Sequence, residues 1–169
     1  MMKRLFPFVL IALGLLLSVA AVGQLYFNHR ASSVDTPTLP KALAGLSLTQ
    51  TQIGSEAIAE VADLHGKDFP VVSGAIGIYG DRQITLWVAE AQSESTAIEM
   101  TNAMQSKIAQ GNSPFTPINE IDKRSHKIYA LEGMGQMHYY FQSENLVIWL
   151  AADPNFADEA LQQILEVYS

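Results

Sequence analysis

An uncharged stretch of the chain runs from Leu5 to Asn28. Its strongly apolar part, Leu5 to Val22, would rise about 27 Å as a helix at about 1.5 Å per residue. The rest of the stretch extends this helix across a bilayer core, which is about 30 Å thick. Residues 1–30 therefore predict a transmembrane helix that anchors the chain.

The residues around this stretch predict its orientation. Tyr26 and Phe27 fall where aromatic side chains favour the membrane interface. Lys3 and Arg4 outweigh Arg30 on the other side, and positive charge stays in the cytoplasm. We expect a cytoplasmic N-terminus, a single pass through the lipid, and a C-terminal domain outside the cytoplasm.

A cleaved signal peptide is the alternative for the same stretch. Ser18 to Ala20 and Ala21 to Gly23 both resemble small-x-small cleavage sites. The length of the stretch and its bulky aromatic end favour a retained anchor. Cleavage would give a secreted domain, so the domain is extracytoplasmic under both interpretations.

Composition limits the nature of the chain beyond the anchor. Residues 31–42 are small, polar and proline-bearing, which is typical of a linker, and 43–169 suffice for one domain. Residues 31–169 hold seven Lys/Arg and all 17 Asp/Glu, so their net charge is −10. Such a domain repels phosphate backbones, which excludes nucleic acid as a partner. The absence of cysteine excludes disulfides and thiolate sites.

The hydrophobic pattern of residues 43–169 predicts an α+β fold. Alternating segments indicate an antiparallel sheet of about six to seven strands, and amphipathic segments indicate three helices on it in a two-layer domain. The predicted strands are 46–48, 71–79, 83–89, 115–121, 125–131, 135–142 and 145–151. The predicted helices are 55–65, 93–110 and 153–167, the last packing through Phe156, Ala160, Ile164 and Val167.

Two of the strand segments resemble each other. Ile84–Ala89 matches Leu146–Ala151 at a constant offset of 62, and the same offset places Tyr79 on Phe141. A capped amphipathic helix follows each segment. This echo predicts two β-β-α units in one sheet, related by a pseudo-twofold axis.

The tryptophans of these segments, Trp87 and Trp149, point away from their aliphatic neighbours, because alternate side chains of a strand face opposite sides. If the aliphatic residues form the core, the tryptophans mark an open face together with Tyr79 and Tyr140. These four residues are then candidates for contact with a protein partner. The alternative is that the tryptophans form a buried layer.

A glycine-rich segment holds the only candidate metal ligands. Met134, Met137 and His138 are of the soft and borderline types that hold copper outside the cytoplasm. Met137 and His138 should point to opposite faces of a strand, which argues against a shared site. The other interpretation is a core methionine beside a surface histidine, and we predict no cofactor.

The sequence favours a binding function over an enzymatic one. Nucleophile-elbow, dinucleotide and phosphate-loop spacings do not occur, and no catalytic residues are assigned. We expect an anchored accessory module, a small subunit of a larger membrane protein complex. An extracytoplasmic ligand or copper carrier is the alternative, and an enzyme ranks last.

Overall fold

A computed structural model describes residues 36–65, 70–111 and 113–169. The predicted anchor, residues 1–30, lies outside the described residues together with its interface residues Tyr26 and Phe27. Among the helices that are described, none is both long and apolar enough to cross a bilayer.

The described residues form an α+β domain, which confirms the predicted fold class, although the sheet has eight strands where about six to seven were predicted. One antiparallel sheet has eight strands in the order β1-β2-β3-β4-β8-β7-β6-β5. The strands are β1 (Ala42–Leu43), β2 (Leu46–Ile53), β3 (Val71–Tyr79), β4 (Ile84–Ala91), β5 (Thr116–Lys123), β6 (His126–Gly133), β7 (Gln136–Ser143) and β8 (Leu146–Ala152). The helices are α1 (Ser55–His65), α2 (Glu94–Ala109) and α3 (Pro154–Val167).

The helices pack on both faces of the sheet, so the prediction of two layers is wrong. One face carries Leu86 and Ile148 and packs against α3, and we call it the α3 face. The opposite face carries the two tryptophans and packs against α1 and α2, and we call it the α2 face. The central strands β4 and β8 are apolar on both sides, as strands covered on both faces must be.

The two halves of the sheet meet where β4 pairs with β8. Trp87 lies directly opposite Trp149 in this antiparallel pair. The offset of 62 relates these same two residues, so the predicted pseudo-twofold axis passes through the pair. A twofold axis perpendicular to the sheet would leave the following helices on one face. Because α2 and α3 lie on opposite faces, the repeat holds for the strands and fails for the helices.

The offset of 62 does not relate structurally equivalent residues at Tyr79 and Phe141, so this part of the predicted repeat also fails. Tyr79 pairs with Ile84, whereas Phe141 pairs with Ile148, the equivalent of Leu86. Four residues connect β3 to β4 and two connect β7 to β8, which shifts one hairpin by two positions. Both side chains still reach the α3 face because the shift is an even number of residues.

Part of the predicted linker belongs to the domain. The Tyr168 hydroxyl donates to the Thr38 carbonyl at 2.6 Å, and the Tyr79 hydroxyl donates to the Pro40 carbonyl at 2.9 Å. Leu39 packs against the core of the α3 face, which also includes Leu43. Residues 36–42 are therefore held on this face, and the rest of the predicted linker, 31–35, lies outside the described residues.

The helix ends follow the sequence only in part, because the Asp153 side chain, predicted to cap α3, makes no capping hydrogen bond and accepts from the Gln136 amide instead. The Ser93 side chain caps α2 by accepting from the Thr96 N–H, as predicted. In α3, Ala160 and Ile164 are buried, but Val167 is 50% exposed, so its assignment to the packed face is wrong. Tyr168, the next residue, takes the buried position against the core.

Gly77 makes room for the Tyr79 ring. A Cβ atom at Gly77 would lie 3.1 Å from the Leu48 side chain and from the Tyr79 ring, whereas one at Gly74 would meet Ala57 at an ordinary 3.5 Å. We expect Gly77→Ala to lower the free energy of unfolding by about 1–3 kcal/mol through overpacking. Gly74→Ala is the matched control and should be neutral or stabilising by about 0.4–1 kcal/mol. Denaturant titration measures both, and equal effects would contradict the packing.

Candidate binding cleft

A row of aromatic side chains crosses the middle of the α2 face. Trp87, Trp149, Tyr140 and Tyr129 come from four neighbouring strands, β4, β8, β7 and β6. Each is the direct cross-strand partner of the next. We call these four residues the aromatic row. Its members share one face because directly paired residues of neighbouring strands point to the same side.

Three rings of the row, those of Tyr129, Tyr140 and Trp149, stack in succession. The centroids of Tyr129 and Tyr140 are 4.7 Å apart with the planes at 15°, and those of Tyr140 and Trp149 are 5.2 Å apart at 10°. Offset stacks of this kind each contribute about 0.5–1.5 kcal/mol beyond the area that they bury. The Trp87 indole N–H is buried and has no hydrogen-bond partner among the described residues.

Helix α2 covers much of the aromatic row. Its inward residues, Ala97, Met100, Met104 and Ile108, are buried as predicted and lie in one cluster with the row. Trp87 and Trp149 are half-buried and Tyr140 is 1% exposed. The tryptophan face is therefore not an open face of the sheet, and of the two interpretations the buried layer describes it better.

Tyr79 does not belong to this face. It is fully buried, it packs in the cluster of the α3 face, and its hydroxyl holds the Pro40 carbonyl. The prediction that it shares a surface with Trp87 is wrong, because Tyr79 pairs with Ile84, on the side of β4 opposite to Trp87. Tyr140 does share the face of the tryptophans.

A cleft opens beside α2 at the end of the aromatic row. It has a volume of about 190 Å³ and lies between the C-terminal half of α2 and strands β5 and β6. Its lining is mostly apolar, with Tyr129, Tyr140 and Leu131 from the sheet, Ile108 from the helix and Ile118 from the edge strand. We call this space the aromatic cleft.

Tyr140 brings a polar atom to the cleft. Its hydroxyl makes no hydrogen bond within the part of the chain that the structure describes, although the residue is 1% exposed. Burial raises the pKa of this hydroxyl, and the nearby Tyr129 and Glu120 raise it further. The group is therefore a neutral phenol at physiological pH, able to donate or accept one hydrogen bond.

Polar side chains bridge one side of the cleft. The Gln105 amide of α2 donates to Glu120 of β5 at 3.0 Å, and the Lys127 ammonium lies 2.6 Å from the same carboxylate. The hydrogen bond to Glu120 is the main cause that raises the pKa of Lys127. The ammonium also lies 5.6 Å from the centroid of the Tyr129 ring. A polar rim beside an apolar floor is the usual anatomy of a binding site.

His138 lies farther along the same face and is buried, not on the surface. Its Nδ1 accepts from the Trp149 indole N–H at 3.1 Å, so Nε2 carries the proton and donates to the Gly133 carbonyl at 3.1 Å. Phe115 packs against both rings, with centroids 4.7 Å from His138 and 5.1 Å from Trp149. Burial lowers the pKa of His138, which favours the neutral ring that both hydrogen bonds need.

The candidate metal ligands are not brought together. Met134 lies in the β6–β7 turn and is 74% exposed, and Met137 packs on the α3 face. His138 lies on the α2 face with both ring nitrogens engaged. Binding copper through His138 would therefore break a hydrogen bond and leave the two methionines out of reach of a shared site.

Phe115 and Gly133 are parts of this face that the sequence did not reveal. A Cβ at Gly133 would lie 2.7 Å from the Phe115 ring and 2.9 Å from the Pro114 carbonyl. Because Gly133 has no side chain, the segment before β5 can pass close to it and place Phe115 against the His138 imidazole. The contact joins the end of β6 to the segment before β5, and only the register of β6 could have indicated it.

Comparison with protein-family models, with curated proteins and with solved structures finds no match for this chain.

The lowered pKa of His138 predicts a stability that depends on pH. An unfolded histidine titrates at about pH 6.5. Below this pH, His138 takes up a proton more readily in the unfolded chain than in the folded one. The free energy of unfolding should therefore fall as the pH drops below about 6.5, by up to about 1.4 kcal/mol per pH unit. In His138→Gln, which has no titrating ring, this decline should be smaller.

The measurement is denaturant unfolding at a series of pH values between 5 and 8. His126→Gln is the control for the loss of one imidazole, and the decline should persist in it. A His138→Gln variant that loses stability with falling pH as steeply as the parent would contradict the assignment.

Proposed function

We propose that this chain is a non-enzymatic binding module, displayed outside the cytoplasm by its N-terminal hydrophobic segment, and an accessory subunit of a membrane protein complex. The observation that carries the proposal is the aromatic cleft, an apolar space whose floor holds the Tyr140 hydroxyl with no hydrogen bond from the described residues. The occupant is an aromatic side chain of a partner protein.

The size of the cleft supports this occupant. An apolar cavity of about 150 Å³ is large enough to bind benzene. The aromatic cleft, at about 190 Å³, accommodates one six-membered ring with a small substituent. Stacking or edge contact with Tyr129 and Tyr140 would favour an aromatic over an aliphatic group. The Tyr140 hydroxyl would pair with a polar atom on that ring.

The net charge of the domain supports a partner whose surface is basic around the aromatic side chain that enters the cleft. Residues 31–169 carry a net charge of −10, which would draw a positively charged partner and speed its association. In many protein interfaces a buried aromatic side chain lies at the centre and charged residues surround it. The buried contact supplies most of the affinity.

The docked segment 36–42 supports a position close to the membrane. With this segment held on the domain, only residues 31–35 separate the end of the predicted anchor from the fold. Five residues span roughly 17 Å when fully extended. Under this proposal the cleft would meet membrane-proximal surfaces of other membrane proteins.

A cleft-filling substitution tests the proposal. Ala109 lines the cleft and is exposed, so Ala109→Trp should fill the cleft without disturbing the core. Ala103, an exposed alanine of the same helix that does not line the cleft, gives the matched control Ala103→Trp. Tagged full-length parent and variants are purified from gently solubilised native membranes, and the proteins that accompany them are identified by mass spectrometry.

The parent and Ala103→Trp should recover the same partner, and Ala109→Trp should recover at least tenfold less of it. Loss of the partner from both variants, or its retention in both, would place the contact elsewhere and contradict the role of the cleft. Recovery of the parent only as a free protein would contradict the accessory function.

A further inference from the structure

His138 does not line the aromatic cleft, but three of its neighbours lead to the walls of that space. Its direct cross-strand partner is Leu131 of β6, which lines the cleft. Phe115, whose ring centroid is 4.7 Å from that of the imidazole, immediately precedes β5, and β5 forms one wall of the cleft. The third neighbour is Trp149, whose ring stacks on Tyr140. A change at His138 therefore reaches the cleft through residues that are already described.

The hydrogen bonds of His138 fix the imidazole as neutral, with its proton on Nε2. The indole N–H of Trp149 can only donate, so Nδ1, which it meets at 3.1 Å, must accept. The Gly133 carbonyl can only accept, so Nε2, at 3.1 Å from it, must donate. No other placement of protons on the ring satisfies both partners. The chemistry of the two partners thus determines the protonation state of His138.

Protonation of Nδ1 breaks this arrangement. Once Nδ1 carries a proton it becomes a donor, and it then faces the indole N–H, which is also a donor. Two groups that attract each other in the neutral state repel each other in the charged state. The new charge also lies in a site closed by apolar rings, where it loses the solvation that water would give it. Both costs fall when the Trp149 indole moves away from the imidazolium.

The elements packed against His138 offer apolar or neutral groups to it. These groups are Leu131 and the Gly133 carbonyl on β6, Trp149 on β8, and Phe115 before β5. On its own strand, Tyr140 lies on the same face and is a neutral phenol. Among the described residues, no charged group contributes to the lowered pKa of His138, whose main cause is burial.

The charged residues of the neighbouring elements are directed elsewhere. Glu132 of β6 points to the α3 face, because its partner Met137 packs there. Lys127, four residues along β6 from Leu131, is paired with Glu120 of β5. Lys107, in the last turn of α2, is exposed. A positive charge on His138 would therefore remain uncompensated in the present arrangement.

We propose that His138 is a pH switch for the aromatic cleft. The neutral imidazole holds Trp149 and Phe115 in the arrangement that binds an aromatic group, and protonation of Nδ1 loosens this arrangement and weakens binding. The switch regulates the partner contact proposed above, so it rests on that proposed function. Outside the cytoplasm, as proposed, the domain would be exposed to the pH of its surroundings.

Two routes carry the change from His138 to the cleft. The centroids of Trp149 and Tyr140 are 5.2 Å apart with the planes at 10°, so a shift of the indole removes a stacked neighbour from a tyrosine that lines the cleft. Phe115 packs against both the imidazole and the indole. The strand that follows it, β5, is an edge strand that pairs only with β6, so a displaced Phe115 leaves this wall less constrained.

The direction of the switch follows from which form binds. Burial lowers the pKa of His138 below its ordinary value of about 6.5, so the imidazole is neutral at neutral pH. Binding is therefore complete at neutral pH and is lost as the pH falls through the pKa of the folded chain. Conversely, a ligand that needs the neutral form should lower that pKa further.

NMR of the full-length protein in detergent micelles reads the state of the switch. The chain has two tryptophans, and Trp149→Phe identifies which indole N–H signal belongs to Trp149. This signal should titrate with a midpoint below about pH 6.5. The titration should be absent in His138→Gln, whose amide accepts and donates without titrating, and should persist in His126→Gln. A Trp149 signal that does not titrate between pH 7.5 and 4.5 overturns the switch.

The probe for the cleft is p-cresol, a six-membered ring with one methyl and one hydroxyl group. It stays neutral in this range because a phenol titrates at about pH 10. One pH unit below the Trp149 midpoint its affinity for the parent should be about tenfold lower than at pH 7.5, because only about one chain in ten keeps a neutral His138. The affinity should be the same at both pH values in His138→Gln and should fall in His126→Gln as in the parent.

Two controls show that the loss is local. Ala109→Trp, which fills the cleft, measures the p-cresol that enters the micelles. Circular dichroism at both pH values reports the fold, and a parent that unfolds at the lower pH overturns the switch, because the loss of binding is then global.

Reciprocity supplies the converse measurement. With p-cresol at about ten times its dissociation constant, the midpoint of the Trp149 signal should fall by about one pH unit. An unchanged midpoint, with binding at pH 7.5, overturns the switch and leaves the cleft as a binding site. Binding to the parent that is no tighter than to Ala109→Trp contradicts the cleft itself, and with it both the proposed function and the switch.

Discussion

The pairing of β4 with β8 joins the two halves of the sheet, and all three helices pack against one or both of these strands. Both strands are apolar on either side, so each must be covered on both faces. Helix α3 and the segment 36–42 cover one face, and helices α1 and α2 cover the other. Helices on both faces of the sheet therefore pack against the same two strands, β4 and β8.

With both faces of the sheet covered, the aromatic cleft beside α2 is the surface that we propose for recognition. Helix α2 reaches the middle of the aromatic row and leaves the cleft over Tyr129 and Tyr140 beside it. We therefore propose the cleft for a partner's aromatic side chain.

Local elements could be predicted from the sequence and their long-range arrangement could not. Hydrophobic periodicity and the Ser93 cap placed all three helices, and the offset of 62 identified the central pair Trp87 and Trp149. The face on which each helix packs was not predictable, because strands that are apolar on both sides accept a helix on either. The burial of His138 depends on Trp149 and Phe115, which reach it from other parts of the chain.

The central claim is that β4 and β8 form the most protected core of the domain, closed on both faces by the chain's own helices. Amide hydrogen exchange of the full-length protein, read by mass spectrometry, tests it most directly. Peptides from β4 and β8 should exchange last, with protection close to that of global unfolding. Exchange in β4 and β8 as fast as in the edge strand β5 would show that one face is open and would contradict the claim.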